Sequence, residues 1–524
     1  MGLVKIYDTT LRDGSQGEGV SFTLEDKLKI TEKLDEFGVD YIEGGWPGSN
    51  PKDEEYFSRV LNMELKHAQV TAFSSTRRPH MDIKKDPNIR ALVECGAQIV
   101  TIFAKSWDFH VTDALEVSLE ENLAMIYDTI KYLKEKGRKV FFDAEHFFDG
   151  YNNNEEYALK TLTTAVKAGA DIVILCDTNG GQLSNRINEI CTEVKNNFDI
   201  PLGIHAHNDS GLAVANSLAA FEKGIVQIQG TIGGLGERCG NADICSIIPA
   251  LKLKYNYNLD NIKLNKLRST YYYVMEVANL IPWNKNPYVG KSAFTHKGGI
   301  HVSALRKNPL TYEHIEPDSV GNRRRVLVSE LAGKSNLQYK MQELGFDLNE
   351  FDKDTLSEMI NTIKELEHEG FKFEAAEASF SLLVYRRYKD YRSYFRVRDF
   401  KIISHNSGDN TNSEAVIKLD VDNQNVHTAA EGDGPVNALD FALRKALNDF
   451  YPLIADMKLI DYKVRVLNGS NGTAAQVRVF IETSDNKKSW TTVGVSTNII
   501  QASWQALVDS IEYGLLINKI KPRP

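Results

Sequence analysis

Cysteine is scarce in this chain. There are five among 524 residues, Cys95, Cys176, Cys191, Cys239 and Cys245, and no C-x-x-C pair. That spacing argues against a disulfide framework and leads us to expect reduced thiols in the cytoplasm. Long apolar runs are missing as well. No stretch of 18 or more apolar residues occurs, and Met1 to Ile6 lead directly into strand-like sequence. Neither a membrane span nor a secretion signal is therefore expected. An excess of basic residues is the third absence. The formal net charge is -9, which removes any electrostatic reason to expect nucleic acid as a partner. What remains is 42% hydrophobic content on a chain long enough for two to four domains.

Hydrophobic patterning divides the chain into three parts. Through residue 254, eight short apolar runs read as strands: Leu3–Tyr7, Val39–Glu43, Ala68–Phe73, Ile99–Phe103, Arg138–Ala144, Asp171–Cys176, Pro201–His207 and Ile225–Gln229. Helical stretches alternate with them, from Phe22–Phe37, with Thr23 as its cap, to Ala242–Leu253. This rhythm predicts a closed (β/α)8 TIM barrel over 1–254, with an open doubly wound sheet as the alternative. Residues 255–390 read as mostly helical linker subdomains, with helices at Leu267–Asn279, Asp354–Glu369 and Ala375–Tyr388. Residues 391–524 read as an α/β domain of two βββα units, whose last helix begins at the cap Asn498.

The candidate chemistry gathers at the predicted carboxyl ends of the barrel strands. In Gly203-Ile204-His205-Ala206-His207-Asn208-Asp209, the two histidines are two residues apart. On an extended strand they share a face, which suits one divalent cation. Asp13 follows the first strand and Asn241 the eighth, and in a closed barrel strands one, seven and eight are neighbours. Asp13, His205, His207 and Asn241 would then offer O, N, N and O ligands, suited to Mg, Mn, Zn or Co. Asp13 taken alone also reads as a turn or cap aspartate. Arg12 beside it could hold a carbonyl oxygen on which charge develops, or it could form a salt bridge at the barrel mouth. Thr178 could donate to a substrate carboxylate, and Glu145 could orient a second substrate or water. His301 and Tyr312 lie outside the barrel pattern. Histidine titrates in the range useful for acid–base work, so a segment carrying them across the barrel mouth could complete the site, although surface residues on a linker would read the same. Gly233-Gly234-Leu235-Gly236 lacks the Lys-Ser/Thr ending of a nucleotide loop.

Three runs carry a family resemblance: Asp8-Thr9-Thr10-Leu11-Arg12-Asp13-Gly14, His205-Ala206-His207-Asn208-Asp209 and Gly236-Glu237-Arg238-Cys239-Gly240-Asn241. Together they resemble the 2-isopropylmalate synthase and homocitrate synthase family. Glu43 to Pro51 and Phe141 to Gly150 look most like its citramalate-forming branch. The resemblance implies a divalent-metal-dependent Claisen condensation, in which acetyl-CoA adds to the ketone of a 2-oxo acid and the thioester is then hydrolysed. It implies pyruvate as the acceptor, with 2-oxoisovalerate as the alternative. By the same resemblance Asp13, His205, His207 and Asn241 are metal ligands, and Arg12 and Thr178 bind the 2-oxo acid. Glu145 then lies near acetyl-CoA, and His301 and Tyr312 act from the linker of a partner subunit. The C-terminal part resembles a regulatory domain that senses a branched-chain amino acid, isoleucine being expected, in a homodimer.

Overall fold

The computed structural model describes residues 4–328, 334–387, 391–407, 410–467, 472 and 474–523. Leu3 and Tyr388, which bound two of the expected elements, lie outside them. The chain divides into two compact units. One comprises residues 1–294 and 314–324, the other 295–313 and 325–524.

The first unit is a closed barrel of eight parallel strands in sequential order. They are β1 (Lys5–Asp8), β2 (Tyr41–Gly45), β3 (Gln69–Ser75), β4 (Ile99–Lys105), β5 (Lys139–Glu145), β6 (Ile172–Asp177), β7 (Leu202–Ala206) and β8 (Gln227–Gly230). β1 pairs with β2 on one side and with β8 on the other, Lys5 opposite Gln227 and Asp8 opposite Gly230. That closure rules out the open sheet.

Local chemistry explains where the first helix starts and stops. Thr23 and Asp26 form a reciprocal capping box at the start of Leu24–Phe37. The helix ends at Gly38, whose φ of 102° requires glycine, and a Cβ there would meet the Asn261 carbonyl oxygen. Other expected helices also form, among them Leu119–Glu135, Glu155–Ala168 and Ser184–Asn197.

Alternation along the strands separates two apolar layers. Ile42, Val100, Ile102, Val140, Phe142, Val173 and Leu175 join the core shared with the surrounding helices. Tyr7, Tyr41, Ile99, Phe141, Ile174 and Cys176 form a separate buried cluster and fill the barrel interior. The Tyr7 hydroxyl lies 2.7 Å from Glu43 and 2.8 Å from both Thr71 and Thr101. The interior thus turns polar towards the carboxyl ends of the strands, where the candidate site lies.

The second unit begins with a small parallel pair, β9 (Thr295–His296) and β10 (Arg325–Val326). Between them lies a helix the sequence had not suggested, Gly299–Lys307. Gly298 caps it in extended conformation, so the glycine pair starts a helix. Lys353–His368 and Glu377–Tyr385 follow as helices. Two antiparallel three-stranded sheets come next. β11 (Arg396–Ser407), β12 (Asn410–Val421) and β13 (Gln424–Gly432) precede the helix Pro435–Leu447. β14 (Lys458–Val466), β15 (Val477–Ser484) and β16 (Ser489–Ser496) precede Ile499–Ile517, which Asn498 caps. Both helices and both sheets share one core, including Ile417, Leu443, Val479, Trp490 and Leu507. Among the described residues no helix is long and apolar enough to cross a membrane. All five cysteines are unpaired.

Candidate active site

The loop after β1 and the end of β7 bring Asp13, His205 and His207 together. One ligand atom from each lies within 4.8 Å of the others, and all three residues are buried. His205 Nε2 stands 3.3 Å from Asp13 Oδ2 and 3.2 Å from His207 Nε2. Two ring nitrogens facing each other this closely need a cation or a proton between them, because their lone pairs otherwise repel.

Asn241, on the glycine-rich loop after β8, lies beside His207, with which its backbone makes an isolated bridge. Its N–H donates to the Gly234 carbonyl, and its Nδ2 donates to the Leu235 carbonyl at 3.0 Å. Its Oδ1 is buried and, among the described residues, receives no hydrogen bond. A buried amide oxygen without a donor is costly unless something else occupies it. The loop is therefore a cradle for Asn241. Gly240 has φ 88°, and a Cβ there would overlap the Gly234 carbonyl oxygen. Asp13, His205 and His207 suit one divalent cation through one oxygen and two nitrogen atoms, and the orphaned Asn241 oxygen is a candidate fourth donor.

Charge is distributed to match. Burial works against ionisation of Asp13, but the Arg12 guanidinium and the two histidines hold its carboxyl far below the usual carboxylate range. Burial and the neighbouring His205 bring His207 down to about 4, so its ring stays neutral near pH 7. His205 is raised despite burial, because Asp13 accepts its hydrogen bond and both Asp13 and Asp143 attract its charge.

A group given no role from sequence orients His205. Its Nδ1 lies 3.0 Å from Gln229 Oε1, and Gln229 Nε2 donates to Asp143 Oδ1 at 3.2 Å. With its Nε2 given to Asp143, the Gln229 amide presents its oxygen to His205 Nδ1. The Nδ1 proton is thereby fixed, and Nε2 is left for ligation. Burial, partly opposed by His205, pushes Asp143 up to about 7. Asp143 and Glu145 are two apart on β5, so strand alternation alone could have placed both in the barrel. Gln229→Leu is expected to weaken divalent-cation affinity by about 10–100-fold while leaving the fold intact. Titration calorimetry with Co²⁺ measures it, and an unchanged affinity refutes the orienting role.

Arg12 is fixed on three sides. Its Nε donates to Glu43 Oε2 at 2.6 Å, its plane lies 3.9 Å over the Phe73 ring, and its Nη1 is 3.4 Å from Asp13. Glu43 is fully buried and also accepts from the Tyr7 and Thr9 hydroxyls, both at 2.7 Å. From sequence Glu43 was only one polar residue at a strand end, without a role. Arg12, Asp13, His205 and His207 line a cavity of about 230 Å3 that also includes Trp46, Phe103, Glu145 and Thr178. Phe73 and Phe103 are stacked with centroids 5.2 Å apart, and Trp46 sits edge-on to both at 5.8 Å. Glu145 pairs with Lys105 at 2.5 Å. Thr178 Oγ1 accepts from the His146 backbone N–H at 2.9 Å, which leaves its hydroxyl proton for the cavity. Arg238 braces this loop, donating to the Thr178 carbonyl at 2.7 Å and to Asp209 at 2.8 Å. His301 and Tyr312 belong to the second unit, where their rings stack with centroids 4.0 Å apart.

Comparison with known proteins matches the chain to three family models. The HMGL-like model covers residues 3–274, the homocitrate synthase post-HMGL domain-like model 288–370, and the LeuA allosteric (dimerisation) domain 374–515. An (R)-citramalate synthase of Geobacter sulfurreducens is 54% identical over 518 residues, 98% of each chain. One of Aquifex aeolicus is also 54% identical, over 517 residues and 98% of each chain. A 2-isopropylmalate synthase of Methanocaldococcus jannaschii is 32% identical over 509 residues, 97% of this chain and 94% of that one.

Proposed function

The chain belongs to the citramalate synthase branch of the HMGL-like family, an acyltransferase-type enzyme family, and on that premise we propose that it condenses acetyl-CoA with pyruvate. A C–C bond forms between the acetyl methyl carbon and the ketone carbon of pyruvate. Water then cleaves the thioester, and citramalate and CoA leave. The observation that carries this reading is the convergence of a fixed guanidinium, Arg12, with the Asp13, His205 and His207 cluster in one small cavity.

Arg12 spends one edge on Glu43 and directs its remaining N–H groups at the acceptor ketone, where negative charge develops as the new bond forms. Thr178 donates to the carboxylate of the 2-oxo acid. Glu145, held by Lys105, faces the acetyl group and the water that follows it. His301 and Tyr312, from the linker of a partner subunit, would move the methyl proton. Their stacked rings suit a unit that acts together. A divalent cation (Mg, Mn, Zn or Co) held by Asp13, His205, His207 and Asn241 would supply Lewis-acid polarisation of the ketone.

The aromatic wall of Trp46, Phe73 and Phe103 favours a methyl over an isopropyl group on the acceptor. Purified protein given acetyl-CoA and pyruvate is expected to release free thiol at least ~10-fold faster than with 2-oxoisovalerate, in line with what apolar bulk discriminates. Faster release with 2-oxoisovalerate would assign the chain to 2-isopropylmalate synthesis.

The same proposal covers regulation. Between the helix Pro435–Leu447 and β14 lies a cavity of about 680 Å3 lined by Val436, Phe441, Met457, Leu459 and Tyr462, with Asp440 and Arg444 paired at its edge. Apolar walls beside the Asp440–Arg444 pair and Lys458 suit a branched-chain zwitterion, and isoleucine is the effector we assign. Isoleucine is expected to inhibit thiol release, and Asp440→Ala to raise the concentration needed by at least ~10-fold. Undiminished sensitivity in that variant counts against the cavity. The match to a dimerisation domain supports a homodimer, and the five unpaired cysteines support a cytoplasmic setting.

A further inference from the structure

The second unit holds a cavity of about 400 Å3 that the reaction does not use. Four cations line it, Lys297, Lys372, Arg465 and Arg478, against two carboxylates, Glu367 and Glu374. Lys297 and Glu374 pair at 2.9 Å. Among the described residues that line it, two positive charges remain in excess. Arg465 and Arg478 are direct cross-strand partners on β14 and β15. Like charges in that position repel and weaken the strand pair. Arg478 is half-buried, and its Nε donates to the Gly370 carbonyl. Burial and the charge of Arg465, opposed by Glu367, make its charged form harder to hold than usual. The cluster is thus a pair of guanidinium forks set side by side in a cavity with a third cation, Lys372, and too little negative charge.

We propose that this cavity is a binding site for a phosphate-type dianion, gripped by the forks of Arg465 and Arg478 with Lys372 as the third cation. Two charges on one compact group match the excess of two. Side chains directly opposite on neighbouring strands stand about 5 Å apart at Cβ, so both forks are within reach of a single compact group. Planar guanidinium groups present paired N–H donors that match the oxygens of a phosphate. Gly370 and Lys372 follow the helix Lys353–His368, whereas both arginines lie on the sheet. A bound phosphate therefore ties that segment to β14 and β15.

The test is titration calorimetry of inorganic phosphate into the full-length protein at low chloride. The wild type is expected to bind. Arg465→Gln, at an exposed position where the fold tolerates change, is expected to lower the affinity by at least about tenfold, and Arg478→Gln by as much. Without phosphate, Arg465→Gln is expected to melt no lower than the wild type, because a repulsion is removed. With phosphate, only the wild type should melt higher. Glycerol 3-phosphate binding more tightly than inorganic phosphate assigns a phosphate ester, and weaker binding assigns free phosphate. The proposal is overturned if the wild type binds no phosphate at millimolar concentration, if the variants bind it equally well, or if malonate binds more tightly than phosphate.

Discussion

Asp13→Asn is expected to lower kcat/KM by at least about 10²–10³-fold, the scale on which removal of one preorganised charged group at a reacting centre acts. The substitution keeps the shape and removes only the charge. Asp13 is the one anion in the cluster, and it holds His205 in place at 3.3 Å. Without it the two imidazoles and an amide oxygen bind a divalent cation far less well. Chelation of the wild type should produce a comparable loss, restored by adding Mg, Mn, Zn or Co.

The pH dependence of cation affinity gives an independent readout. Asp13 raises His205, and a ring protonated at both nitrogens cannot ligate. Affinity in the wild type is therefore expected to rise with pH as His205 loses its proton. In Asp13→Asn the charge that raises His205 is gone, so whatever affinity remains should reach its plateau at lower pH. Cobalt absorption titrations at several pH values measure both effects. Wild-type turnover and cation affinity in Asp13→Asn would remove the cluster from the reaction.

Arg12→Lys is expected to reduce kcat by about 10²-fold or more while KM for pyruvate changes less. The charge is conserved, but a lysine has one point of attachment where the arginine uses three. It cannot donate to Glu43, lie flat on Phe73 and face the cavity together. Glu43→Gln tests the same arrangement from below. It removes one of the two carboxylates paired with the guanidinium and leaves Asp13 at 3.4 Å, so the cost is expected to fall below the about 3–5 kcal/mol of a buried pair broken outright. Stability is expected to fall with activity in Glu43→Gln and much less in Arg12→Lys. A kcat for Arg12→Lys within about threefold of wild type would show that a bare charge suffices.

Part of this design was legible without coordinates because it rests on local periodicity. The spacing of His205 and His207 sets them on one face of a strand whatever surrounds them. The alternation of apolar runs with helices depends on each segment's own need to bury one face, which a few residues reveal. The capping box at Thr23 and the cap at Asn498 were legible for the same reason. Local chemistry was silent on the helix that opens at Gly298 and Gly299. Glycine is a poor helix former, so nothing local marks Gly299–Lys307 as a helix.

What the sequence by itself determined about this protein is therefore the kind of fold, and the residue types at the strand ends from which a site could be built. The tertiary structure decided which of them meet. β1 and β8 are separated by more than 200 residues, and their pairing brings Asp13 to the barrel edge that also carries the histidines and Asn241. Glycines within the loop after β8 fold it around Asn241 until its side-chain oxygen has no other partner. Burial turns Glu43 from a polar strand end into the anchor of Arg12, and the chain Asp143–Gln229–His205 exists only once β5, β7 and β8 share one interior. Periodicity is a property of neighbours in sequence and can be read along the chain. Orphaned atoms, opposed charges and second partners arise between segments far apart, and only closure of the barrel creates them.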